Sequence, residues 1–180
     1  MRKIIAGFFM SLDGVVEAPQ NWHFPYFNEE MGEAVGAQTS EADAMLLGRQ
    51  TYEEFAAHWA DKGSDVPFAD QINNTPKYVV STTMEKAQWR NSTLIRDNVA
   101  EELTKLKQQP GKSILVNGSA TLVRSLLRDD LLDELRLLIH PIIVGSGQRL
   151  FADGAEQKGL KLVESKTFST GVLNLIYHPA

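Results

Sequence analysis

The sequence contains no cysteine, which excludes disulfides, thiolate nucleophiles and cysteine-ligated zinc. It also lacks a surplus of cations. Its 18 lysines and arginines stand against 23 aspartates and glutamates, giving a net charge of −5 and a pI near 5.4. A nucleic-acid surface needs clustered basic residues, so neither DNA nor RNA is an expected partner. Long apolar runs are missing too, and none approaches the roughly 18 residues of a membrane span. The run Ile4–Met10, preceded by Met1-Arg2-Lys3, is interrupted at Ser11 and Asp13, and no small-residue cleavage site follows. A soluble, cytoplasmic chain without a membrane partner is the expectation. The histidines His23, His58, His140 and His178 have no ligand spacing, so no metal site is expected. There is no G-x-S-x-G elbow to support a serine hydrolase.

What remains is a chain of 180 residues, 43% hydrophobic and 23% charged, without repeats, linkers or low-complexity tracts. That suits a single domain over residues 1–180 with one sizeable core. Ile4–Met10, Ala44–Leu47, Lys77–Val80, Ser113–Val116 and Leu135–Val144 read as buried strands, with a short strand at Thr93–Ile95. Pro141 marks a bulge or an edge in the longest of them. Helical patterns begin near Asn28, at Thr51 and after Asp97, which is placed to N-cap Val99, Leu103 and Leu106 at i, i+4, i+7. A further helix carries Leu122, Val123, Leu126 and Leu127 on one face. Leu160–Phe168 and Val172–His178, joined by Ser169-Thr170-Gly171, read as a closing antiparallel hairpin. The alternation predicts a three-layer α/β/α fold with a mostly parallel sheet.

In such folds ligands collect outside the carboxyl ends of the strands. Four segments follow inferred strands: Ser11-Leu12-Asp13-Gly14, Gly48-Arg49-Gln50-Thr51, Ser81-Thr82-Thr83 and Asn117-Gly118-Ser119. If those strands run parallel, the segments share one sheet edge and offer glycines, hydroxyls, one arginine and two helix N-termini. Helix N-termini favour anions, and an arginine fork matches a phosphate face. A plainer reading of the second segment also stands: Gly48 makes the turn, Arg49 is solvated and Thr51 is an N-cap.

The ordered pieces carry a resemblance. Ile4-Ile5-Ala6-Gly7, Ser11-Leu12-Asp13-Gly14, Leu47-Gly48-Arg49-Gln50-Thr51-Tyr52-Glu53, Val79-Val80-Ser81 and Val116-Asn117-Gly118-Ser119-Ala120 are followed by Leu132-Asp133-Glu134-Leu135-Arg136-Leu137 and His140–Phe151. Together they resemble the dihydrofolate reductase superfamily, and more closely its branch related to the C-terminal reductase domain of the riboflavin-pathway bifunctional deaminase/reductase. The resemblance implies a dihydrofolate reductase-like fold and an NADPH-dependent reductase. It implies that Gly48, Arg49, Gln50 and Thr51 meet cofactor phosphate, and that Ser81 and Thr82 meet the adenosine 2′-phosphate end. Gly118, Ser119 and Ala120 would hold the pyrophosphate, and Ala6 would lie beside the nicotinamide. An arginine and no acid at the Gly48 turn agrees with NADP over NAD.

Hydride transfer asks for orientation and a polar group near the reacting carbon. Asp13 is the candidate for that group, and an aspartate before Gly14 is equally a turn-former. The implied substrate is a small pyrimidine- or pteridine-like heterocycle, with 5-amino-6-(5-phosphoribosylamino)uracil reduction the nearest named activity. Two departures qualify it. After Trp22-His23-Phe24-Pro25, where dihydrofolate reductases carry a carboxylate, this chain has Tyr26 and Phe27, and Asn117 replaces a commoner glycine. The alternatives are therefore a nucleotide-binding protein without efficient catalysis, or a dihydrofolate reductase. Trp22, Phe24, Tyr26 and Phe27 either wall the pocket or cover the core. Relatives are often homodimers, and the run Leu135–Val144 permits one.

Overall fold

In the computed structural model, which describes residues 1–180, apolar runs and turn chemistry produce eight strands and five helices. The elements in order are β1 (Ile4–Ser11), α1 (Glu29–Ser40), β2 (Ala42–Gly48), α2 (Arg49–Trp59), α3 (Ala69–Asn74), β3 (Lys77–Val80), β4 (Ser92–Ile95), α4 (Val99–Gln108), β5 (Ser113–Val116), α5 (Ala120–Arg128), β6 (Glu134–His140), β7 (Leu160–Thr167) and β8 (Leu173–Pro179). One sheet holds all eight strands in the order β4-β3-β2-β5-β1-β6-β8-β7. Every pairing from β4 to β6 is parallel, and β8 pairs antiparallel with both β6 and β7.

Side-chain alternation along the strands builds three hydrophobic clusters, one on the first face of the sheet and two on the other. Ile4, Ala6, Phe8 and Met10 of β1 point to the face covered by α4 and α5, where Leu103, Leu106, Leu122, Val123, Leu126 and Leu127 complete the main cluster. Met45, Leu47 and Val79 point to the other face, against Tyr52 of α2, and Phe9 and Leu138 meet Met31 of α1. The three-layer α/β/α reading therefore holds. Helix α5 buries five of its nine residues. Its Ser119 N-cap accepts the Leu122 N–H at 3.2 Å, so local capping and core packing point the same way. Replacing fully buried Leu126 by alanine in such a core costs about 2–5 kcal/mol.

Several boundaries differ from the sequence expectation. Thr51 lies inside α2 and is not its cap, because the helix starts at Arg49 with Gly48 as N-cap. Asp97 does not cap α4. Asn98 takes that position with φ 49° and offers no side-chain bond. Strand β6 stops at His140 and does not run to Val144. Pro141 has no N–H to extend the ladder, and the amides of Val144 and Gly145 donate to Asp13 instead. Strand β6 lies between β1 and β8, so both of its edges are paired within the sheet.

Candidate active site

Strands β1, β2, β3 and β5 run parallel, so the four segments that follow them share the carboxyl edge of the sheet. Two of them touch. The Gly48 N–H donates to the Gly118 carbonyl at 3.3 Å, which brings the start of α2 against the start of α5. The contact depends on glycine at both positions. A Cβ on Gly48 would lie 2.5 Å from Ser119 Oγ, and one on Gly118 would lie 2.7 Å from Thr51 Oγ1. The Gly118–Ser119 peptide is cis. Gly48 gives α2 no side-chain cap, so the first-turn N–H groups of that helix face the edge without an intrahelical partner.

This saddle separates two cavities. The larger, about 1140 Å³, is walled by α1, α2 and residues 16–20, and Gly7, Leu115 and Asn117 lie in its floor. It extends over the same sheet face to the β7–β8 hairpin. The smaller, about 290 Å³, lies on the α4–α5 side and is lined by Gly48, Arg49, Val80, Val99, Thr121 and Ser125, among others. Ser119 lines both.

The expected site residues divide accordingly. Gln50, Thr51, Gly118, Ser119 and Ala120 line the large cavity, and Gly48, Arg49 and Ser119 line the small one. Arg49 is half exposed and pairs with Glu53 one turn along α2 at 3.0 Å. The Ala6 side chain is fully buried in the α4–α5 core, and its neighbour Gly7 faces the large cavity. A Cβ there would overlap the Gln38 amide at 1.9 Å, so any larger residue would displace that side chain. Ser81 and Thr82 line neither cavity. The Ser81 hydroxyl accepts the amides of Thr83 and Met84 and so shapes the turn after β3, and the Thr82 carbonyl accepts Arg96 at 3.5 Å.

Asp13 is tied into a loop. Its carboxylate accepts the Ser11 hydroxyl at 2.5 Å, the Gly145 amide at 2.9 Å and the Val144 amide at 3.1 Å. Arg149 Nη2 lies 3.6 Å away. These donors, the Ser11 hydroxyl foremost, hold the Asp13 carboxyl down at about 2. Its oxygens are occupied and it lines neither cavity, so the geometry does not place it as a proton-transfer group. It clamps the turn after β1 to the segment after β6.

Of the loop aromatics, Trp22 and Tyr26 cover the core, whereas Phe24 and Phe27 are exposed. Phe9 stacks on His23 at 4.5 Å, and Trp22 and Tyr26 meet His140 edge-on at 5.1 and 5.6 Å. None of Trp22, Phe24, Tyr26 or Phe27 lines the large cavity. Burial lowers the pKa of both His23 and His140, opposed in His140 by hydrogen bonding to the carbonyls of Leu138 and Met10. Sequence reasoning missed Gln38, Glu54, Phe55 and Gln148, all of which line the cavity. The helical period of α1 and α2 limits which residues share a face, but not which face turns to the cleft.

Fold and edge together define the dihydrofolate reductase-like class of α/β proteins. Within it, the chain belongs to the RibD C-terminal domain family, whose profile matches residues 2–174. It is 31% identical over 180 residues to the uncharacterised protein YyaP of Bacillus subtilis, covering 98% of this chain and 95% of that one. Among solved structures, a Shewanella sp. PV-4 protein described as a riboflavin biosynthesis protein superposes with a TM-score of 0.78 at 21% identity, over 99% of each chain. The dihydrofolate reductase of Enterococcus faecalis, solved with NADP(H), gives a TM-score of 0.65 at 14% identity, over 98% of this chain and 96% of that one. The fold is thus that of riboflavin-type and folate reductases.

Proposed function

We propose that this protein is an NADPH-dependent reductase of the riboflavin type, acting on a pyrimidine- or pteridine-related heterocycle. The observation that carries the reading is the Gly48/Gly118–Ser119 saddle, which lies between two cavities and beside two helix N-termini. A dinucleotide has this shape: two bulky ends joined by an anionic bridge. In this reading the first turns of α2 and α5 hold the pyrophosphate with their free N–H groups. Arg49 meets the 2′-phosphate from the small cavity. Ser81 and Thr82 shape and flank the edge beside it, and Ala6 contributes backbone alone.

The cofactor, when bound, supplies a hydride. The protein supplies orientation. The floor of Gly7, Leu115 and Asn117 fixes the depth of the large cavity, and α1 and α2 set its width. Asp13 acts as a positioning residue, holding residues 144–149 against the start of the loop that walls the cleft.

The experiment is a thermal-shift comparison of NADPH, NADH and buffer. Preferential stabilisation by NADPH is expected, since a ligand at 100 times its Kd adds about 2.7 kcal/mol. Equal shifts, or none, overturn the reading. A second reading, nucleotide binding without efficient catalysis, is favoured by Phe27, which stands exposed where folate reductases carry an acid. Glu30 lies nearby, but its carboxylate is held by the amide and hydroxyl of Ser169 at 2.9 and 2.8 Å. Binding of NADPH without its oxidation by any pyrimidine or pterin would select this second reading. The same two facts weigh against dihydrofolate reduction.

A further inference from the structure

We infer that the large cavity takes a heterocycle without a phosphate, neutral or positively charged. This rests on the reductase reading above and specifies its substrate class. Seven carboxylates line the cavity against three lysine and arginine side chains. Their pairing decides more than their number.

Glu17, Glu33 and Glu54 stand in the cavity walls without a lysine or arginine partner, alongside the amides of Gln20, Gln38 and Gln50. Glu54 accepts one bond, from Gln50 Nε2 at 3.2 Å. The three cations differ in their surroundings. Lys3 precedes β1, at the opposite edge of the sheet. Lys166 is on β7, with its ammonium 5.7 Å from the Phe168 ring. Arg136 is already neutralised, since Glu134 takes its Nε at 2.5 Å and Glu41 its Nη2 at 2.6 Å. A phosphate meeting its remaining N–H groups would sit beside both carboxylates. The arginine of the sheet edge, Arg49, opens into the other cavity.

A phosphorylated substrate in the large cavity would therefore bring a dianion into a cleft of like charge, beside the cofactor's own phosphates. Like-charge juxtaposition across an interface is strongly disfavoured. The amides of Gln38, Gln50 and Asn117 instead offer paired donors and acceptors. These match the amino and carbonyl edges of an aminopyrimidine or pterin ring. Protonated ring nitrogens or alkylamino substituents are welcome opposite Glu33 and Glu54.

The test is calorimetric titration of NADP⁺-loaded protein with two probes, 5-amino-6-(5-phosphoribosylamino)uracil and its dephosphorylated ribosylamino counterpart. The dephosphorylated compound is expected to bind more tightly by about tenfold or more, the usual scale for one unfavourable charge contact. Equal or tighter binding of the phosphorylated probe, or binding of neither, overturns the inference. In the double variant Glu33→Gln with Glu54→Gln the preference should shrink by about threefold or more, and an unchanged ratio removes its electrostatic basis. The NADPH thermal shift is read on the same preparation. A shift with the wrong probe preference sinks only the substrate class, whereas no shift sinks the reductase reading.

Discussion

Arg49 reaches the small cavity from the first position of α2 and shares its charge with Glu53. A charge-assisted hydrogen bond contributes about 1.5–3 kcal/mol. Arg49→Ala should therefore weaken NADPH by roughly one to two orders of magnitude and leave NADH nearly unchanged, as fluorescence titration with each nucleotide would show. Asp13 predicts a different pattern. Its carboxyl is held at about 2 by the Ser11 hydroxyl and two amides, below the ordinary 3.8. The folded chain then binds fewer protons than the unfolded one between these values, so this contribution to stability is present above about pH 4 and lost as pH falls toward 2. Asp13→Asn places an amide where an acceptor is needed. The variant should melt earlier and exchange the Val144 and Gly145 amides faster, with NADPH affinity retained. At this scale the sequence was legible where backbone turns dictate residue type, as at Gly48 and Gly118. It was illegible where tertiary docking decides, as at Gln38 and at Ser81, whose hydroxyl turned inward to its own loop.

Elements are held by charges as well as by apolar faces. Lys77 opens β3 fully buried, and its ammonium donates to the carbonyls of Asn73, Thr75 and Arg90 at 2.9–3.2 Å. It also lies 4.1 Å from the centre of the Trp89 ring. It thereby satisfies the end of α3 and locks that helix to the strands beside it. Burial, with Arg90 adding to it, lowers the Lys77 pKa from 10.5 to about 8. Between these values the unfolded chain binds more protons than the folded one. Stability should rise as pH increases from about 8 to 10.5, by up to about 3 kcal/mol, in urea titrations across that range. Lys77→Met should abolish the dependence and cost about 1–3 kcal/mol, because three carbonyls lose their donor. The strand β3 itself was readable from Lys77-Tyr78-Val79-Val80 alone. That its one lysine would be interior was not, since a charge in a strand normally marks the solvent face. The overlong reading of β6 failed for a related reason: Ile142-Ile143-Val144 is apolar, but Pro141 and the Asp13 clamp end the ladder first.

At the scale of the whole molecule, composition and alternation sufficed for an α/β/α domain with an antiparallel finish. The order β4-β3-β2-β5-β1-β6-β8-β7 was not contained in any local pattern, because it depends on which buried faces meet. The outer hairpin leaves Leu162, Val163 and Leu173 exposed. The sheet is also unevenly secured. Residues 141–159 cross from β6 to β7 without regular structure, held by Asp13 at Val144 and Gly145, by Arg124 at Arg149 and Leu150, and by Lys158 at Leu127 and Asp130. Between these ties, residues 151–157 are exposed throughout. That stretch should be the first place a dilute protease cuts, and mass spectrometry of an early digest would locate the nick. The final hairpin would stay in place after the cut, since β8 is zipped along β6 from Leu135–Tyr177 to Ile139–Leu173. The chain could therefore be made as two separate polypeptides, broken between β6 and β7, that find each other and restore the fold.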